Sequence, residues 1–117
     1  MAAKGKAKGG PLPVGSIEAI RAAPDLGEEW VDVPEWGVRV RVRGLSRGEF
    51  RQLSVGRNGQ EGDATAVEAL ALSLGLVEPR LDLAEAADLV ERKSFGALET
   101  ILGRIYELSG LGAGFRT

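Results

Sequence analysis

The chain has 117 residues, 44 % apolar but only 5 % aromatic, with a formal net charge of −2. It contains neither cysteine nor histidine, which excludes disulfides, thiol nucleophiles, Cys/His zinc sites, histidine general bases and Ser-His-Asp catalysis. At this length one domain is the upper bound, with a modest core of Leu, Val, Ile and Ala and no room for a large internal active-site cavity.

The charge comes in blocks. Residues 1–15 carry three lysines, residues 16–37 sum to −5, residues 38–57 to +5 and residues 58–117 to −5. Opposed patches of this kind suit self-association or a charged partner better than the uniformly basic profile of a nucleic-acid binder. No apolar run approaches the ~20 residues of a membrane span. The lysines near the N-terminus are not followed by an apolar stretch, so they do not form a secretory signal. These features lead us to expect a soluble, cytosolic protein with no membrane partner.

Residues 1–15 read as a flexible basic leader, with Lys4, Lys6 and Lys8 among glycines and Pro11 and Pro13 after them. Ser16 can cap a short helix that Pro24 stops, with Ile17 and Ile20 on one face. Asp25 to Glu29 is an acidic linker.

The stretch from Val31 to Arg43 is the part that reads most clearly as β-structure. Val31 and Val33 alternate with polar neighbours, and Val38, Val40 and Val42 alternate with Arg39, Arg41 and Arg43. Pro34-Glu-Trp-Gly37 supplies the turn, since proline fixes φ and glycine permits φ > 0. A lone hairpin is marginal in water, so the helical segments on either side are expected to cover its valine face. Trp30, just before the first strand, is expected in the core.

Ser46 and Glu49 match a capping box for a helix over about 47–55, with Phe50 and Leu53 inward. Gly56 to Asp63 is a glycine-rich loop whose acidic residues miss the EF-hand spacing, which argues against a metal. Asp63 can cap a helix running to about Ser73. Leu70, Leu72, Leu74 and Leu76 also alternate at period two, but alanine content and length favour helix, broken from Gly75 to Pro79. Asp82 and Glu85 start a helix that ends near Lys93. Ser94 caps the last one, roughly 95–109, where Leu98, Ile101, Leu102, Ile105 and Leu108 form the cleanest amphipathic stripe. Gly103 interrupts that stripe, which a close helix–helix approach would justify. Gly110 is a natural C′ residue, and residues 112–117 are a flexible tail. The fold class expected is α+β and mostly helical: one N-terminal hairpin packed by four to five short helices, in a single domain over 16–111.

Two features stand out as contact surfaces. Three arginines about 7 Å apart along one strand face can meet carboxylates or phosphates. They can equally pair with Glu28, Glu29, Asp32 or Glu35 across the hairpin. Trp36, at the hairpin tip, can anchor a partner or fold onto the core. Asp82, Glu85, Asp88 and Glu91 read as a solvated helix face. No Walker or dinucleotide spacing follows a strand. Nothing in the chain reads as an active site, and we expect no enzyme activity, cofactor or metal.

Taken together, Ser16-Ile-Glu-Ala-Ile-Arg-Ala-Ala-Pro-Asp25, then Val31-x-Val-Pro-Glu-Trp-Gly37, then Val40 to Arg43 and Leu45-Ser-x-x-Glu49 resemble the small tail assembly chaperones of long-tailed bacteriophages. The likeness covers about 16–111 and is most specific from Val31 to Glu49. The chain departs from the family pattern at Val38, where a second glycine is common. It departs again at Val77 to Leu81, in place of an Asp-x-x-Gly-x-x-x-Phe segment.

The resemblance implies a non-enzymatic protein of the host cytoplasm. Such a protein binds the tape-measure protein, helps recruit the tail-tube protein, and is absent from the mature virion. The partner contacts expected on this reading are Trp36, Arg39, Arg41, Arg43, Leu111 and Phe115. The alternatives are a structural virion protein, such as a tail-completion or connector subunit, and a small nucleic-acid-binding regulator using Arg39, Arg41 and Arg43.

Overall fold

Alternating valines make the sheet. In a computed structural model, which describes residues 11–55 and 64–111, β1 (Glu28–Val33) and β2 (Val38–Arg43) run antiparallel. Val31 faces Val40, and Trp30 faces Arg41. Pro34–Trp36 form a single 3-10 turn, and Gly37 closes it at φ 69°. That left-handed conformation favours glycine, as the turn reading required. Val31, Val33, Val40 and Val42 are buried, which stabilises by about 1.5 kcal/mol or more for each valine side chain. Val38 stands in solvent at the tip.

The sheet has a third strand, contrary to the hairpin expected. β3 (Leu76–Glu78) pairs antiparallel with β2, giving the order β1-β2-β3. Leu70, Leu72 and Leu74 lie in α3, as alanine content and length favoured, and of the alternating leucines Leu76 alone enters the strand. A cis Glu78–Pro79 peptide follows it.

Five helices complete the described chain: α1 (Ile17–Ala22), α2 (Arg47–Val55), α3 (Ala64–Gly75), α4 (Leu83–Arg92) and α5 (Phe95–Leu108). Their starts follow from local chemistry. Ser16 accepts from the Ala19 N–H, Ser94 from the Ala97 N–H, and Asp82 with Glu85 forms a reciprocal capping box. Ser46 and Glu49 exchange the same pair of bonds at α2. At the other end of α5, Gly110 at φ 96° donates to Glu107, and Leu111 N–H donates to Tyr106. This is a Schellman stop.

The core lies between the valine face and α3 and α5. Leu72, Ile101 and Ile105 are fully buried there, with Leu98, Leu76 and Ala97. Gly75 sits where a Cβ would lie 2.5 Å from Ile105 Cδ1, so the end of α3 closes on Ile105 because it carries no side chain there. Gly103 is buried on α5. The covering expected from both sides of the hairpin comes only from the C-terminal side, because α1 buries no residue. Ile17 and Ile20 are 55 % and 63 % exposed.

The tightest join is at Gly44. A Cβ there would lie 2.4 Å from the Leu108 carbonyl oxygen and 2.9 Å from the Ser109 nitrogen. Next to it, the Leu45 N–H donates to Ser109 Oγ at 2.7 Å, and that hydroxyl donates to the Ile105 carbonyl at 2.6 Å. The Gly44 N–H donates to Gly27 across the sheet at 3.0 Å.

Gly44→Ala must push two backbone segments apart, at a cost of about 2–3 kcal/mol. Gly48→Ala adds a Cβ that meets nothing closer than Ser46 Oγ at 3.9 Å, and is expected to be neutral or stabilising by up to about 1 kcal/mol. Urea unfolding of the two variants checks the contrast.

Candidate partner-binding surface

Side chains in a strand alternate between faces, so burying Val31 and Val33 turns Glu28, Trp30 and Asp32 outward. Arg39, Arg41 and Arg43 take the same face of β2, and the side chains of Glu78 and Arg41 meet on it at the β3 border. This outer face carries the most distinctive chemistry of the described chain.

Trp30 is 44 % exposed, not a core residue as expected. Its ring is covered by Arg39, whose guanidinium carbon lies 4.3 Å from the ring centroid, and flanked by Arg41 at 5.8 Å. Stacking of this kind stabilises by about 0.5–1 kcal/mol at an exposed site. The parity of Val31 and Val33 carried this placement in the sequence.

The three arginines have three different settings. Arg41 bonds Glu28 at 2.5 Å and comes within 3.9 Å of Glu78. Arg39 lies opposite Asp32 in register and rests on Trp30. Arg43 turns away from the hairpin and makes a two-pronged pair with Glu49 of α2, at 3.0 and 2.7 Å. Cross-hairpin pairing therefore holds for Arg41, while Arg43 serves as a strand-to-helix tie.

The Glu49 carboxylate accepts from the Arg43 guanidinium and from the Ser46 N–H, while the Glu49 N–H donates to Ser46 Oγ. Hydrogen bonding from Arg43 is the largest influence, and it lowers the carboxyl from its ordinary 4.5 to about 2, against the opposing effect of burial. Glu29, on the inner face of β1, is tied to Arg104 of α5, which also bonds Glu107.

Trp36 is half-buried and packs against the core from the turn. Leu111 is half-buried too. With Leu45, Ser46, Arg47, Phe50 and Ser109 it lines a cavity of about 140 Å³ behind the α5 stop. Phe50 and Tyr106 stack edge-to-face nearby, their centroids 6.1 Å apart. Phe115, the Lys4–Lys8 leader and the Gly56–Asp63 loop lie outside the described residues. The structure thus groups Arg39 and Arg41 with Trp30, and sets Trp36, Arg43 and Leu111 apart from them.

The acidic helix face is occupied by bonds within α4 and from α3. Asp82 and Glu85 cap α4, Asp88 pairs with Arg92 at 2.6 Å, and Glu91 accepts from Thr65. Among the described residues, no group of three or more His, Cys, Asp or Glu side chains could hold a metal ion. No described helix is long and apolar enough to cross a membrane.

No protein-family model, curated protein or solved structure matches this chain.

Because the Glu49 pKa is depressed on folding, its contribution is complete above pH 4.5 and is lost as pH falls from 4.5 toward 2. Glu49→Gln is expected to cost about 1–2 kcal/mol at pH 7. The gap between wild type and variant should narrow steadily below pH 4.5, as followed by denaturant midpoints from pH 7 to 2.5.

Proposed function

We propose that the protein is a tail assembly chaperone of a long-tailed bacteriophage, acting in the host cytoplasm. It binds the tape-measure protein and helps recruit the tail-tube protein. The observation that carries this reading is the segment from Val31 to Glu49, where Val-x-Val-Pro-Glu-Trp-Gly, the arginine strand and Leu-Ser-x-x-Glu stand in the order that the resemblance names.

The physical role of that segment is consistent with the proposal. It forms the hairpin, the turn and the first capping box, the parts on which the fold is assembled. The surface also suits a coating protein. The outer sheet face offers Trp30 with Arg39 beside the half-buried Arg41, and α1 offers the exposed Ile17 and Ile20. Trp36 packs against the core, so we assign the aromatic contact to Trp30 first and give Trp36 a role in holding the turn. A phosphate backbone would have to compete with Glu28 and Glu49 for Arg41 and Arg43, which weighs against the nucleic-acid reading.

Co-expression with the tape-measure protein of the same phage is expected to keep that protein soluble and to give a complex that co-purifies. Purified phage particles are expected to lack this chain. Trp30→Ala should weaken the complex about tenfold, while costing the fold little more than the roughly 0.5–1 kcal/mol of the lost Arg39 stacking. Absence of any complex would overturn the reading. Many copies of the chain in the finished particle would favour a structural virion protein instead.

A further inference from the structure

The order β1-β2-β3 leaves β1 at an edge of the sheet. The Gly44 N–H donates to the Gly27 carbonyl, so that facing pair is hydrogen-bonded. In an antiparallel ladder, bonded and non-bonded pairs alternate, so Glu29–Val42 and Val31–Val40 are bonded as well. The main-chain N–H and C=O groups of Glu28, Trp30 and Asp32 therefore point away from β2, into the open edge. Among the described residues, no backbone bond outside the ladder engages them.

The side chains beside those groups say what would fit. On its β2 side, the outward row Glu28, Trp30, Asp32 lies opposite Arg43, Arg41 and Arg39 in register; Arg41 bonds Glu28 and Arg39 stacks on Trp30, while Arg43 turns away to Glu49. On its other side, the same row is bare. Alternating aliphatic and basic residues already satisfy this strand once, and the free edge repeats the demand.

The surroundings are acidic too, since residues 16–37 sum to −5. Along α5, where Arg104 reaches Glu29, an open depression of about 260 Å³ is lined by Glu99, Thr100, Gly103 and Glu107 as well as Arg104. A second copy of β1 would set carboxylate against carboxylate, which disfavours edge-to-edge pairing with itself.

We propose that the free edge of β1 takes an extended segment of another protein, added as a fourth strand, with Lys or Arg at alternate positions and small or aliphatic residues between them. Main-chain bonds to Glu28, Trp30 and Asp32 hold the segment. Its cations meet Glu28 and Asp32 and stack on the side of Trp30 away from β2. This inference stands apart from the chaperone reading, because it rests on the edge and its charge whatever protein supplies the strand.

The test uses the full chain, ¹⁵N-labelled, with two synthetic peptides: Gly-Val-Arg-Val-Arg-Val-Arg-Gly, which copies residues 37–44, and its Val-Glu counterpart. With the arginine peptide, amide exchange at Glu28, Trp30 and Asp32 is expected to slow by about tenfold or more, while Glu29 and Val31, already bonded to β2, stay as they were. The glutamate peptide should change nothing. Asp32→Asn should weaken the arginine peptide by about threefold, as for one exposed ion pair. Unchanged exchange at those three amides under excess arginine peptide overturns the proposal. Equal protection by the glutamate peptide overturns it as well. So does loss of protection at Glu29 and Val31, which would mean exchange with β2.

Discussion

The approach of Gly44 to Leu108 and Ser109 is the constraint on which the rest of this fold depends. The sheet and α5 are far apart in sequence, and little else fixes their angle as tightly as a main chain lying against a main chain. No side chain but hydrogen fits at Gly44. The Ser109 hydroxyl then fixes the depth of contact, accepting from the Leu45 N–H and donating to the Ile105 carbonyl. With that join made, Ile101 and Ile105 fall beneath Val31, Val33, Val40 and Val42, and α3 follows because Gly75 lets it close on Ile105. Arg104 with Glu29 and Arg43 with Glu49 guard either side of the junction. As partly exposed pairs they orient more than they stabilise.

All of the helix cover lies on one side of the sheet, and that has a consequence for function. One face of the sheet is spent on the core. The other keeps a tryptophan, two arginines and a row of carboxylates in solvent. Among the described residues no charged or polar side chain is buried, so the distinctive side chains gather on an open surface. The proposals for a tape-measure partner and for an added basic strand both draw on this asymmetry. They use different parts of it: the outer face in one case, the edge in the other.

Much of the architecture was legible because local signals agreed with tertiary demand. Ser16, Ser46, Asp82 and Ser94 begin helices where their side chains can cap them, and Gly37 and Gly110 take the left-handed conformations that their neighbours imply. The third strand was harder to see. Leu76–Glu78 is three residues long, and it follows a helix whose leucines suit either period, so only its pairing with β2 decides it. Trp30 was misplaced because its size outweighed its parity. Ile17 and Ile20 read correctly as a helix face, but a sequence does not say whether a face finds a partner within its own chain. The ties from Arg43 to Glu49 and from Arg104 to Glu29 depend on long side chains meeting across elements, for which spacing alone gives no signal.

Native-state hydrogen exchange at Leu45 tests the central claim most directly, because its N–H is the donor at the junction. If the sheet and α5 are fastened there, the Leu45 amide will exchange only through global unfolding, with the same free energy and denaturant dependence as Val42 and Ile105. A Leu45 amide that exchanges through a small local opening, while Val42 and Ile105 remain protected, would contradict the account.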